Sequence, residues 1–453
     1  MTKILETINC FVWGAPALVL ILSVGLFLSL RLKFVQLALF PEALKSFLSK
    51  LCCGEKNSEG ITGFQALCTA LAATVGTGNL VGVAGAICLG GPGAVFWMWI
   101  CGFLGMATKF AEVALAVRYR VKSPDGYIGG PMYVISRGLG HRWHSLACLY
   151  CWFGIAASFG IGNLAQVNAM VAGINSVFSC FGITQNWMGN LLIGIGLALL
   201  VGLTLFGGAG RIGNTAEKLV PFAAAAYILM CTGVLIMKAD RIWPAFMSIV
   251  QGAFSPRAVT GGMLGSAFQA LRIGCSRGVF TNESGMGTAA IAHAGAEVDH
   301  PVEQGLMGIM EVFLDTILIC TLTALVILVS GVPVSYGKDI GTLLTTAAFA
   351  VVYGDYAAVL VAVQLILFAF ATILGWGLYG QRCAEFLFGR KSGKLFVLLQ
   401  TLAVASGSIL DTGMIWQFSE TMNGLMVIPN LIALAVLAPE IVRLTKDYKK
   451  IRQ

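Results

Sequence analysis

Ala-Ala-Thr-Val-Gly-Thr-Gly-Asn, residues 72–79, sits in the middle of a hydrophobic run from Ile61 to Leu89 that is long enough to cross a bilayer. Gly76 and Gly78 bracket Thr77, and Asn79 follows. Each glycine costs a helix roughly 1 kcal/mol and loosens its backbone, so the stretch predicts a helix broken near mid-membrane, with carbonyls and amides released for other partners. Within a bilayer such a break persists only where protein encloses it or where it binds something. Gly78, Gly82 and Gly85 would also serve as a helix-packing face, but packing alone does not ask for Thr77 and Asn79 beside the glycines.

The composition agrees with a membrane setting. Of 453 residues, 57% are hydrophobic and 11% charged, with a mean hydropathy of +0.85, whereas soluble domains carry about a quarter charged residues. The chain reads as an all-α polytopic membrane protein. Its net charge of +8 reports topology rather than a nucleic-acid partner. Thirteen cysteines show no disulfide framework, because most lie singly in apolar runs. Cys148 and Cys151 form a Cys-x-x-Cys inside such a run and read as packing. His141 and His144 lie in a basic loop without a second ligand pair, which argues against a metal centre.

Apolar runs of about 20 residues mark spans. They fall at 10–31, 61–89, 93–118, 144–177, 188–206, 214–237, 260–293, 301–331, 355–387, 394–409 and 421–442, giving about 11 transmembrane helices. Basic residues collect on alternate loops: Arg31 to Lys56, Arg118 to Arg142, Arg211 and Lys218, Arg382 to Lys394, and the tail from Arg443 to Arg452. The positive-inside rule then makes those loops and the C-terminus cytoplasmic and the N-terminus external, in a cell inner (plasma) membrane. Lys238, Arg241 and Arg257 run against this pattern. Their loop contains Ile242-Trp243-Pro244-Ala245-Phe246, which suits an interfacial helix, and Gly341 to Val352 is a second segment too short to span.

The ten spans after the first divide into five and five, and each set opens with a glycine-interrupted helix. The second of these, 260–293, carries Gly274, Gly278, Gly285 and Gly287 with Arg272, Arg277, Asn282 and Glu283 at depth. Paired broken helices at matching positions point to an inverted repeat with a binding site between the breaks. The expected organisation is residues 1–60 as an N-terminal helix and basic loop, 61–237 and 238–442 as two five-helix repeats, and 443–453 as a basic tail.

Gly90 to Gly105, Gly-Gly-Pro-Gly-Ala-Val-Phe-Trp-Met-Trp-Ile-Cys-Gly-Phe-Leu-Gly, resembles the signature of the sodium:alanine symporter family. Thr74 to Val83, Gly129 to Tyr133, Gly162 to Asn168, Arg277 to Gly287, Ile291 to Ala294, Glu311 to Thr316 and Gly375-Trp376 agree with it in order. The sequence departs from the family pattern at Gly102, Ile273, Gly377-Leu378 and Gln381, which bears on substrate choice. The resemblance implies a LeuT-like five-plus-five inverted repeat with one extra N-terminal helix, and sodium-coupled uptake of alanine or glycine. It implies no cofactor, sodium being the coupling ion. By the same resemblance, carbonyls of Ala72 and Val75 and the hydroxyl of Thr372 would hold sodium, with Thr74 and Asn79 at a second site. Gly76, Thr77, Gly78 and Asn79 would face the substrate, Gln166 would clamp it, Trp376 would close one wall, and Phe268 and Ile273 are further pocket candidates.

Amide groups at the start of a half-helix suit a carboxylate, and released carbonyls suit an ammonium or a hard cation. Glu311 and Asp315 share one helix face. They read either as a proton relay or as structural partners of Arg272, Arg277 or another cation. A proton-coupled transporter on the same fold is therefore the rival mechanism. An enzyme would need a nucleophile and base converging at depth, and a channel would need a repeated pore-lining ring. Neither pattern is present in the sequence.

Overall fold

The computed structural model describes residues 9, 13–53, 60–124, 126–180, 182–183, 186–254, 267–338, 341–410 and 413–452. Lys56, Arg257, and residues 10–12 and 260–266 of the first and seventh expected spans lie outside them. The described chain is helical apart from a hairpin of Val121–Ser123 with Gly126–Ile128. Helices α1 (Ala15–Arg31) and α2 (Phe40–Cys53) precede α3 (Gly63–Thr74), which continues past a break into a π turn, Gly78–Gly82, and α4 (Val83–Gly90). Then come α5 (Gly93–Arg118), α6 (His144–Phe159), a π turn at Gly160–Leu164, α7 (Ala165–Cys180), α8 (Trp187–Leu205) and α9 (Gly208–Met237). After these follow α10 (Ile242–Phe254), α11 (Ala267–Asn282), α12 (Thr288–His293), α13 (Pro301–Val312), a π segment at Phe313–Cys320 and α14 (Thr321–Ser330). The chain ends with α15 (Gly341–Tyr353), α16 (Tyr356–Phe388), α17 (Ser392–Gly407), α18 (Gly413–Val436) and α19 (Ala438–Arg452).

Helix α3 starts at a capping box: Thr62 Oγ1 accepts from the Gln65 amide at 3.0 Å, and Gln65 Oε1 accepts from the Thr62 amide at 3.1 Å. It ends because Val75 turns extended, at ψ 91°. The axis of Gly78–Gly90 is bent 50° from that of Gly63–Thr74. The second broken helix differs from its sequence expectation. Gly274 and Gly278 lie inside regular helix, where they let α11 approach α5: a Cβ on Gly274 would meet Ala94 backbone, and one on Gly278 would lie 3.4 Å from Met98 Cα. The break falls later, at Glu283 to Gly287, where Glu283 (φ 54°), Gly285 (φ 94°) and Gly287 (φ 75°) take left-handed conformations.

Seven of the described helical stretches are long and apolar enough to cross a membrane, and the bent pair Gly63–Thr74 with Gly78–Gly90 makes an eighth. The expected eleven spans are not all regained on length: among the described residues α1 has 17 and α17 has 16, and the seventh, described from Ala267, is in pieces of 16 and 6. The 238–254 loop forms α10, with Ala245, Ile249 and Ala253 buried and Trp243 exposed. Helix α15 lies against the π turn after the first break, where Thr345 Oγ1 donates to the Leu80 carbonyl at 2.9 Å. The basic tail is the end of α19, whose Ile441, Leu444 and Tyr448 are buried, so a boundary at 443 falls inside a packed helix.

At the centre, α5 packs against α11 and α13, while α16 packs against α3, α6 and α7. Close approach again uses glycine: Gly375 of α16 lies against Ala73, and Gly162 lies against Trp376. These contacts bring α16 and the π turn before α7 up to the first break.

Candidate functional site

At the first break the Gly76 amide, which has lost its helical acceptor, donates to Asn79 Oδ1 at 2.9 Å. The same side chain donates from Nδ2 to Asp315 Oδ1 at 2.6 Å. Thr316 Oγ1 donates to Asp315 Oδ2 at 2.8 Å, and Asn282 Nδ2 donates to Thr316 Oγ1 at 3.1 Å. Asn282 Oδ1 then accepts from the Ser284 amide, 2.9 Å away in the second break. One chain of hydrogen bonds therefore runs from break to break, with Asp315 and Thr316 at its centre. Both stand on the π segment that follows α13.

The second break is held in the same manner. The Gly285 amide donates to Glu112 Oε1 at 2.8 Å, and Asn430 Nδ2 donates both to that oxygen, at 2.7 Å, and to the Gly285 carbonyl, at 2.9 Å. Glu283 Oε2 accepts from Thr288 Oγ1 at 2.5 Å and Oε1 accepts from Trp376 Nε1 at 3.1 Å. Below it, Glu311 faces Lys109 Nζ at 3.3 Å and His293 Nε2 at 3.0 Å, all fully buried. Gln304 Nε2 donates to the Gly63 carbonyl at 3.0 Å and contacts His293 Nδ1 at 2.7 Å. Because both amide hydrogens of Gln304 are thereby committed, Nδ1 is the acceptor and Nε2–H the donor to Glu311. The charged partner that Glu311 needs is then Lys109.

A cavity of about 170 Å³ opens against the start of the half-helix that follows the break, lined by Thr77, Gly78, Val81, Ala169, Arg277 and Phe280 among others. Of the residues singled out in the sequence, Ala72 and Thr74 lie in the last turn of α3, Val75, Gly76 and Thr77 make the break, and Gly78 and Asn79 open the π turn after it. Gln166 reaches it by accepting from Thr77 Oγ1 at 3.3 Å. Thr372 Oγ1 lies beside Gly76, 2.6 Å from where a Cβ would stand, while donating to the Phe368 carbonyl at 3.0 Å. Thr74 Oγ1 donates within its own helix to Ala70, at 3.2 Å.

Phe268 and Ile273 are not brought there. Phe268 is 62% exposed in the first turn of α11, and Ile273 packs on Gly90, the last residue of α4. Since α11 runs alongside α4, only its final turn meets the break, and Phe280 and Thr281 occupy the position against Gly78. Arg272 and Arg277 are likewise not the partners of Glu311, which pairs with Lys109 and His293.

Residues 1–453 match the profile described as the sodium:alanine symporter family. The chain belongs to that family. It is 42% identical to the sodium/alanine symporter AgcS of Methanococcus maripaludis, over all of this chain and 98% of that one. It is 37% identical to GlnT of Bacillus subtilis, named a probable sodium/glutamine symporter, over 99% of this chain and 92% of that one. Among solved structures it is similar to MhsT in complex with L-phenylalanine, with a TM-score of 0.53, 13% identity and coverage of 84% of this chain and 97% of that one. A mutant of the Eremococcus coleocola manganese transporter gives a TM-score of 0.54 at 14% identity, covering 86% and 80%. Both carry the LeuT-like fold. This symporter is thus a multi-pass membrane protein that moves amino acids with a cation, and is not an enzyme.

The reading of the symporter from sequence passed over Lys109 and Glu112, although two charges three residues apart in the third apolar run were a usable signal. Removing Lys109 alone strands Glu311. Lys109→Met should therefore destabilise the purified symporter by about 3–5 kcal/mol, as a broken buried pair does. Lys109→Met with Glu311→Gln should regain much of that loss, read as the thermal unfolding midpoint in detergent. A double variant no more stable than the single would mean that His293, not Lys109, balances Glu311.

Proposed function

We propose that the protein couples sodium to uptake of a small neutral amino acid, alanine or glycine, by alternating access around the two breaks. The observation that carries this reading is the hydrogen-bonded junction through Asn79, Asp315, Thr316 and Asn282. It gathers carboxylate and hydroxyl oxygens, which a hard cation prefers, between two asparagines whose Nδ2 atoms face the junction and whose Oδ1 atoms hold the amides of the opened backbone. Charge supports it too. Among the described buried residues, Glu112, Glu283, Glu311 and Asp315 surround one lysine, Lys109, and a low-dielectric interior with that imbalance favours an added cation.

In this reading Ala72, Val75 and Thr372 supply oxygens to one sodium. The Thr372 hydroxyl spends its proton on Phe368, which leaves its lone pairs facing Gly76. Thr74, Asn79 and, beyond the sequence reading, Asp315 belong to a second cation position. The amides at Thr77 to Asn79 meet the substrate carboxylate at the positive end of the outer half-helix. Gln166 clamps it through Thr77. Trp376, pinned by Glu283 and seated on Gly162, forms a fixed wall that suits a small side chain. The basic loops and α19 face the cytoplasm of the cell membrane, residues 61–237 and 238–442 form the two repeats, and the cavity at Thr77 opens outward.

Two measurements test the proposal. Proteoliposomes holding the protein should accumulate radiolabelled alanine or glycine when sodium is added outside, and should not do so on a proton gradient in sodium-free buffer. Equal uptake on protons alone would favour the rival mechanism, and no uptake of either amino acid under any gradient would remove the substrate assignment. Thr372→Val keeps the shape and deletes one oxygen, so it should raise the sodium concentration for half-maximal uptake roughly tenfold, a loss of about 1 to 3 kcal/mol. Because linkage is reciprocal, saturating sodium should largely restore alanine affinity. A variant of normal sodium dependence would take Thr372 out of the site.

A further inference from the structure

The sequence Phe206-Gly207-Gly208-Ala209-Gly210 joins α8 to α9 and has no part in the breaks. It forms one wall of an open cleft of about 830 Å³. The facing wall comes from the turn between α16 and α17, with Arg382, Glu385, Arg390, Lys391 and Lys394. Two long helices begin in this cleft. Helix α9 starts at Gly208, whose φ of 71° requires glycine, and α17 starts at Ser392 directly after Arg390 and Lys391. The first amides of α9 have no intrahelical acceptor and its positive dipole end points into the cleft, whereas in α17 the Ser392 and Gly393 amides donate to the Gly389 and Arg390 carbonyls at 3.0 and 3.3 Å. A Cβ on Gly208 or Gly210 would meet nothing within 4 Å, so the backbone there is open to close approach.

The charges are matched to the backbone. Glu385, the one acidic residue lining the cleft, accepts from Arg382 at 2.6 Å and from Gln381 at 2.9 Å. Lys391 and Lys394 have no side-chain partner among the described residues. Cations in excess, the first amides of α9 and a glycine-lined approach together suit a phosphate group. A second chemistry adjoins it: Phe206 in the lining, and Leu203, Phe388 and Leu395 within two residues of lining positions in the chain, are each more than half exposed. That apolar collar has no use for a small anion, but it continues the lipid-facing surface of α8 and α17.

We propose that this cleft binds the phosphate headgroup of an anionic phospholipid, with the acyl chains lying along α8 and α17. The site holds the α8–α9 turn to the α16–α17 turn from the side on which the basic residues collect. The lipid bridges two parts of the chain that this cleft otherwise separates.

Native mass spectrometry of the full-length protein in detergent, with dioleoylphosphatidylglycerol or dioleoylphosphatidylcholine added, tests this. The wild type should retain phosphatidylglycerol in preference to phosphatidylcholine, and inorganic phosphate should not displace it. Lys391→Ala with Lys394→Ala should weaken phosphatidylglycerol binding about thirtyfold, each lysine near a membrane surface contributing about fivefold. Gly210→Leu, which fills the approach without altering charge, should weaken it as well. Lys449→Ala with Lys450→Ala, on α19 away from the cleft, should leave it unchanged. Unaltered binding in both cleft variants, an equal loss in the α19 variant, or displacement by inorganic phosphate would each overturn the proposal, the last by indicating a small-anion site.

Discussion

Every backbone amide that a break exposes inside a membrane must find an acceptor from the protein, because hydrocarbon supplies none. Here the Gly76 amide is taken by Asn79 and the Gly285 amide by Glu112. Much of the surrounding architecture follows from those two bonds. Asn79 has a donor left over and gives it to Asp315, and the π segment at Phe313–Cys320 belongs to the helix that presents this carboxylate. Glu112 has to come from α5, so α5 must run close to α11. Gly274 and Gly278, packed on Ala94 and Met98, allow that approach.

The interior below the breaks is tied by a different kind of link. From the Gly63 carbonyl at the start of α3, hydrogen bonds and an ion pair pass through Gln304, His293 and Glu311 to Lys109. One half of each broken helix, α3 and α12, is thereby fastened to α13 and α5. The half-helix after the first break borders the cavity at Thr77 and is touched by α15 through Thr345.

The first break was legible from eight residues because glycine and asparagine act locally: they weaken the helix where they stand. The second was legible in kind but not in place. Four glycines offered themselves between 274 and 287, and sequence does not separate a glycine that unwinds a helix from one that lets a neighbour approach. That difference resides in Ala94 and Met98, almost two hundred residues away in the chain. The same limit explains Phe268 and Ile273, which sit on the expected helix but about four and about three turns from its break. Glu311 and Asp315 stood out as carboxylates in an apolar run, whereas their partners Lys109 and Asn79 lie on other helices. The charge of Lys109 was visible in the sequence, but its pairing needed the packing of α5 on α13.

The central claim is that ion and amino acid meet at one junction between the breaks, so that each strengthens the other's binding. Equilibrium binding of alanine to the purified protein, measured over a range of sodium concentrations at fixed ionic strength, tests it most directly. The account predicts that alanine affinity rises with sodium, and that alanine raises the apparent affinity for sodium by the same factor. Alanine affinity independent of sodium, in protein that binds both, would contradict it.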